Sequence, residues 1–93
     1  MLRLTRKLGD KIFIGENITV TVKDFDCHYA DVCIEYEGFK RVVLRVDEPD
    51  NYSISEAIEI RFFEVKKGRA VIGINAPKDV AISRDDMKSA PPL

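Results

Sequence analysis

Apolar and polar positions alternate along most of this chain. In the segment "NITVTV", the apolar residues Ile18, Val20 and Val22 alternate with threonine, which is the two-residue period of a half-buried strand. Other short segments rich in β-branched or aromatic residues are "LRLTR", "KIFIG", "RVVLRV", "AIEIRFFEV" and "GRAVIGI". The pattern predicts an all-β protein of about nine short strands.

One segment, "SISEAIEI", competes with this interpretation because it carries a helix-start signal. Ser53 and Glu56 have the spacing of a capping box, in which each side chain caps the backbone N–H of the other residue. The residues that follow, "IRFFEV", keep the strand period, so a strand is predicted here as well. The tail "MKSAPPL" is too short and proline-rich for more than one turn, so a C-terminal helix is expected to be absent or vestigial.

The middle of the chain contains an internal repeat. Residues 14–25 align with residues 54–65, and, with two extra residues in the first copy's turn, Ile34 falls on Ile72. The alignment continues from "EYEGFKRVVLRVDE" to "GINAPKDVAISRDD", each predicted as a hairpin-like unit, and Val46 stands where the second copy has Arg84. Chance similarity between alternating strands remains an alternative.

The repeat divides a single domain, residues 1–93, into two half-copies. Its parts are a first half-copy (1–48), a linker (47–52), a second half-copy without its first strand (52–87) and a tail (88–93). The length of 93 residues agrees with one domain, and the composition, with 33% charged residues, is that of a soluble globular protein.

Several functional classes are disfavoured. No apolar run approaches the roughly 20 residues of a membrane helix, and the start of the chain lacks the apolar core of a signal peptide, so a cytoplasmic protein is expected. Cys27 and Cys33 form no CxxC pair, which agrees with a reducing compartment. His28 is the only histidine, so no histidine-based catalytic triad or metal cluster is available, and no enzyme, metal or cofactor is expected.

Two long motifs carry a resemblance to a known family. "MLRLTRKLGDKIFIGENITVTV" and "GRAVIGINAPKDVAISRDD" resemble the carbon storage regulator (CsrA/RsmA) family of bacterial RNA-binding proteins. The resemblance implies small antiparallel or mixed β-sheets and interlocked homodimers. It also implies binding of GGA-bearing hairpin loops in mRNA leaders, with control of translation or mRNA stability. Small regulatory RNAs or a protein antagonist are further partners that it implies.

The resemblance also implies where RNA binds, since each site in the family combines the first strand of one subunit with the last strand of the other. Here those strands are Leu2–Lys7, with Leu4 and Arg6 as main contacts, and Val80–Arg84, with Arg84 as the critical arginine. The implied contact residues are Arg3, Leu4, Thr5, Arg6, Lys7, Asn75, Ala76, Pro77, Lys78, Val80, Ile82, Ser83 and Arg84. The net charge is −1, so nucleic-acid binding has to rest on such local clusters of basic residues.

The chain departs from the family pattern in its internal copy, in its reduced tail and at Val71, where many members have a basic residue. These facts lead to the hypothesis of a fused pseudo-dimer with one complete site per chain. The second site would pair a missing first strand with "RVVLRVD" and be inactive. A homodimer remains an alternative, because a bare sheet edge recruits partners. A protein-binding module without RNA readout is the rival function.

Overall fold

The computed structural model describes residues 1–47 and 51–84, with Arg84 described by its backbone alone. The strands are β1 (Leu2–Arg6), β2 (Lys11–Ile14), β3 (Ile18–Phe25), β4 (Tyr29–Glu35), β5 (Phe39–Arg45), β6 (Asn51–Ser53), β7 (Glu59–Lys66), β8 (Arg69–Asn75) and β9 (Ile82–Arg84). The prediction of an all-β fold with about nine short strands is confirmed. The tail 88–93, where a C-terminal helix was expected to be absent or vestigial, lies outside the described residues. In the described part of the chain, no helix is long and apolar enough to cross a membrane.

The strands form two antiparallel sheets, and each half of the chain contributes one strand to the sheet of the other half. The four-stranded sheet has the order β1-β8-β7-β6, and the five-stranded sheet has the order β5-β4-β3-β2-β9. The first strand of the chain therefore completes the sheet made by the second half, and the last described strand completes the sheet made by the first half. The two halves interlock within one chain.

Both sheets contribute to one apolar core, because their strands bury alternate residues. In β4, for example, Ala30, Val32 and Ile34 are buried while their neighbours are half-buried. The core consists of Ile12, Ile14, Ile18, Val20, Val22, Ala30, Val32, Ile34, Val42, Leu44, Ile58, Ile60, Phe62, Ala70, Ile72 and Ile74. Burial of each large aliphatic or aromatic member contributes about 1.5–3 kcal/mol, which makes this cluster the main source of stability.

The internal repeat is present in the strand register. Ile12 pairs with Val20 and Tyr52 pairs with Ile60, so both partners recur 40 residues later. The ladder of β3 with β4 and the ladder of β7 with β8 also share this offset. Their irregularities fall between Val22/Asp24 and between Phe62/Glu64, again 40 residues apart. The offset stays constant to the ends of β4 and β8, so the predicted two-residue difference in turn length is wrong.

The segment "SISEAIEI" is not helical, as predicted. Its first residue ends β6, and a turn closed by the bond from Ile54 N–H to the carbonyl of Ile58 (2.8 Å) leads into β7. β6 itself begins at Asn51, inside the segment that the sequence assigned to the linker.

β5 and β9 have similar sequences but different positions. β5 forms a tight hairpin with β4, starting with the pair Glu35↔Phe39, whereas β8 and β9 belong to different sheets. The prediction of a hairpin-like unit is therefore right for the first copy and wrong for the second. β5 runs along β4 as β1 runs along β8, since Val42 pairs with Val32 and Leu4 pairs with Ile72. β5 thus occupies the place of the first strand that the second half lacks.

Candidate nucleic-acid interface

β1 is an edge strand whose side chains alternate between the core and the outer face. Leu4 is half-buried against the core, and Arg6 is only 6% exposed. Arg3 and Thr5, which lie between them, are exposed on the outer face. The outer edge of β1 pairs with no other strand among the described residues, so main-chain groups along it are available to a ligand.

Arg6 closes the turn between β1 and β2. Its Nε donates to the Thr5 carbonyl (2.7 Å), its Nη1 donates to the Lys11 carbonyl (3.3 Å), and Nη1 lies 3.8 Å from Asp10 Oδ2. Asp10 Oδ2 also accepts a hydrogen bond from the backbone N–H of Lys7 (3.0 Å). The guanidinium therefore has a structural role, and the RNA contact implied for it stays a prediction.

β9 lies at the edge of the five-stranded sheet, against β2. The register pairs Ile12 with Arg84 and Ile14 with Ile82, and the N–H of Gly15 donates to the Ala81 carbonyl (2.7 Å). The expected last strand, 80–84, is shorter in the structure, because Val80 donates to the Pro77 carbonyl (3.0 Å) and belongs to the preceding loop.

The ends of β1 and β9 converge at the start of β2. Arg6 binds the carbonyl of Lys11, and the next residue, Ile12, is paired with Arg84. We call the surface formed by residues 2–7, 75–78 and 82–84 the β1/β9 site. The two strands belong to different sheets and to different halves of the chain, and they meet at the start of β2.

The implied contact residues differ in exposure. Arg3, Thr5, Lys7, Asn75, Pro77 and Lys78 are exposed; Leu4, Ala76, Val80, Ile82 and Ser83 are half-buried; and Arg6 is buried. Three exposed cations, Arg3, Lys7 and Lys78, thus flank the two strand edges. They provide local positive charge in a chain whose net charge is −1.

The described strands do not form a second site equivalent to the β1/β9 site. β5 stands in place of a first strand, but Leu44, which pairs with Ala30 as Arg6 pairs with Ala70, is a buried core residue. Among the described residues no strand covers the outer edge of β6 as β9 covers β2. The expected pairing of "RVVLRVD" with a missing first strand is therefore wrong: β5 takes the place of the first strand, and within residues 1–47 and 51–84 it is the counterpart of β9 that is absent.

Two arginines on β5 of the five-stranded sheet form ion pairs with aspartates. Arg41 forms a two-pronged contact with Asp31, with Nε–Oδ distances of 3.0 and 2.9 Å and an Nη2–Oδ2 distance of 2.7 Å. The hydrogen bond and the charge of Asp31 raise the pKa of Arg41. Arg45 Nε lies 3.6 Å from Asp47 Oδ1. These pairs offset the positive charge of two arginines on the five-stranded sheet.

The outer face of the four-stranded sheet carries an arginine–phenylalanine stack that the sequence did not reveal. The guanidinium carbon of Arg3 lies 4.2 Å from the centre of the Phe63 ring, and that of Arg61 lies 5.4 Å from it. Gly73, opposite both arginines in the register, leaves room for the ring. The two adjacent phenylalanines were a possible sequence signal, but Phe62 lies in the core and only Phe63 is on this surface.

Comparison with family models decides the family. The model of the CsrA family, described as the global regulator protein family, matches residues 1–35 and 42–90. This chain belongs to the CsrA family. The gap in the match covers residues 36–41, where the first half turns back into β5. Comparisons with curated proteins and with solved structures gave no match.

Family membership makes the protein a global regulator of a family that typically binds RNA. The CsrA family is regulatory and not enzymatic. Its members generally form dimers, and here one chain supplies strands to both interlocked sheets.

Proposed function

We propose that this CsrA-family protein is a post-transcriptional regulator that binds GGA motifs in mRNA leader hairpin loops through one β1/β9 site per chain. Binding there controls translation or mRNA stability. The observation that carries the proposal is the convergence of β1 and β9 on the start of β2, within one chain and from opposite halves.

The chemistry of the site suits an unpaired loop. Guanine and adenine in a single-stranded loop present Watson–Crick and Hoogsteen edges that are hidden in a duplex. The free edges of β1 and β9 offer main-chain N–H and C=O groups that hydrogen-bond to such edges. Arg3, Lys7 and Lys78 attract the loop phosphates, and Arg84 anchors a phosphate or a base from the end of β9.

A second candidate function is protein binding without RNA readout, and the β4–β5 hairpin is the observation that favours it. Phe39 is 79% exposed, and Tyr36 in the turn and Val43 further along β5 are exposed as well. Apolar side chains grouped on an exposed hairpin are typical of surfaces that contact a protein partner. This surface lies on β5, away from the β1/β9 site, so it is also the place where a protein antagonist would bind.

Native mass spectrometry with a hairpin RNA carrying GGA in its loop tests the function. We expect one RNA per single chain. Two chains with two RNAs would keep the RNA function but overturn the site within one chain. Folded protein that forms no complex at low salt would refute RNA binding.

The variant Arg84→Glu separates the two candidate functions. It is expected to abolish RNA binding, whereas the matched variant Arg45→Glu, at the end of β5, is expected to bind RNA as the wild type does. Unchanged RNA binding by Arg84→Glu would remove the β1/β9 site from the proposal.

A further inference from the structure

A groove on the outer face of the four-stranded sheet concentrates positive charge. It has a volume of about 480 Å³ and is lined by Thr5, Glu64, Lys66, Lys67, Arg69 and Val71. These residues come from β1, β7, β8 and the turn between β7 and β8. Three of them are cations and only Glu64 is an acid. Glu64 pairs with Val71 in the register, so it faces no basic residue directly across the strands.

The three cations are held together at an energetic cost. Lys66 and Arg69 are direct cross-strand partners, and like charges in that position are destabilising. Lys67 sits between them with φ 54°, in the left-handed region that non-glycine residues seldom adopt. Among the described residues none of the three forms an ion pair. A bound anion would relieve the repulsion that the fold leaves uncompensated.

The repeat supplies a comparison within the same molecule. The equivalent turn of the first half has Asp26, Cys27 and His28 in place of lysines and glycine. There Asp26 Oδ1 accepts the backbone N–H groups of His28 (2.7 Å) and Tyr29 (3.0 Å), and no basic residue is needed to form the turn. The turn between β7 and β8 has a different backbone, with positive φ at Lys67 and Gly68, and that conformation favours glycine or asparagine, so it does not require lysine either. The basic cluster occurs only in the second half of the chain, whose strand β8 pairs with β1.

The groove adjoins the β1/β9 site. Thr5 pairs with Val71 at the wall of the groove, and the next pair along the two strands is Arg6↔Ala70. Beyond that pair lie Arg69 and the lysines of the turn. A polyanion that leaves the β1/β9 site along β1 reaches these cations next.

We propose that this groove binds the phosphodiester backbone of the hairpin stem that flanks the loop held at the β1/β9 site; the inference rests on the proposed function. Lys66, Lys67 and Arg69 contact stem phosphates, and the Thr5 hydroxyl donates a hydrogen bond to a phosphate oxygen. Contacts of this kind carry no sequence information, so they increase affinity and fix the orientation of the stem.

The experiment compares two RNAs that carry the same GGA sequence, one in the loop of a long paired stem and one in a short unpaired strand. The test variant is Lys66→Gln/Lys67→Asn/Arg69→Gln, with asparagine chosen because it tolerates the left-handed conformation. The control, Lys23→Gln/Lys40→Gln/Arg45→Gln, removes the same charge from the five-stranded sheet. Dissociation constants are measured at several salt concentrations.

We expect the test variant to bind the stem-bearing RNA about 10–100-fold more weakly at low salt, with a salt dependence reduced by roughly two to three counterions. It should bind the unpaired strand as the wild type does, and the control should match the wild type on both RNAs. Thermal unfolding should show that the test variant is at least as stable as the wild type.

Two outcomes would overturn the groove while leaving the proposed function intact. One is unchanged affinity and salt dependence of the test variant on the stem-bearing RNA. The other is an equal loss on both RNAs, which would mean that the cations do not act on the stem. If the wild type binds neither RNA, the proposed function itself fails, and the groove proposal falls with it.

Discussion

Arg6 and Arg84 lie on the two sides of the start of β2. The guanidinium of Arg6 binds the carbonyl of Lys11, and the backbone of Arg84 pairs with Ile12. Arg6 comes from β1 and Arg84 comes from β9. The geometry of the β1/β9 site therefore depends on the position of β2, which contacts both strands. Any change that loosens the β1–β2 turn should therefore weaken RNA binding without touching a contact residue on β9.

The first prediction concerns Arg6→Ala. Loss of the guanidinium removes its bonds to two carbonyls and its ion pair with Asp10, and we expect a loss of about 1.5–3 kcal/mol in the free energy of unfolding. Urea denaturation measures it. Lys7→Ala, at the exposed neighbouring position, is the control and should change stability by less than about 0.5 kcal/mol. Equal stability of the two variants would contradict the structural role of Arg6.

The alternation of apolar residues was enough to predict the class, the number of strands and the residues that face the core. It did not predict which sheet edge β5 and β9 would pair with, because apolar residues alternate in the same way in both segments of the sequence. The difference lies in their loops. Glu37 and Gly38 have φ values of 54° and 131° and make a tight turn back onto β4, whereas the loop that contains Pro77 crosses to the other sheet. Gly38, a residue that tolerates positive φ, was the available sequence signal for this turn.

The candidate site could be predicted only in part. The motifs placed Leu2–Lys7 and Val80–Arg84 at the site through the family resemblance, but the burial of Arg6 follows from its register opposite Ala70. The alternation of its segment places Phe63 on the outer face of the sheet together with Arg61, as the structure does. Its stack with Arg3 could not be predicted, because β1 reaches the ring through a pairing with β8 that the local pattern does not show.

The second prediction concerns Gly73→Ala, which adds a methyl group beneath the Phe63 ring and beside Met1. The Cβ would clash with the ring edge, so we expect the free energy of unfolding to fall by about 1–3 kcal/mol. The double variant Phe63→Ala/Gly73→Ala should cost at least about 1 kcal/mol less than the sum of the single variants. Chemical denaturation of all three variants completes the cycle. Additive costs would show that the ring does not limit this position.

The third prediction concerns Leu44 and Val46, which stand in the first half at the positions that correspond to Arg6 and Arg84. Leu44 is fully buried, so Leu44→Arg should cost about 3 kcal/mol or more, because it places an unpaired charge in the core. Val46 is half-buried, and Val46→Arg should fold. We expect native mass spectrometry to find one RNA per chain for Val46→Arg, because no described strand covers the edge of β6 as β9 covers β2. A second bound RNA would show that an arginine alone completes the second site.

The fourth prediction concerns Lys66, where we expect a substitution that raises folding stability to lower the affinity for RNA. In Lys66→Glu the cross-strand pair with Arg69 changes from repulsive to attractive, which should stabilise the fold by about 0.5–1 kcal/mol and raise Tm by roughly 2–8 °C. The same variant should weaken binding of stem-bearing RNA, because a carboxylate now faces the phosphates. Lys66→Gln, which removes the repulsion without adding an attraction, should lie between the wild type and Lys66→Glu in both measurements. If Lys66→Glu is more stable but binds the stem-bearing RNA as the wild type does, the positive charge of Lys66 does not contribute to RNA binding.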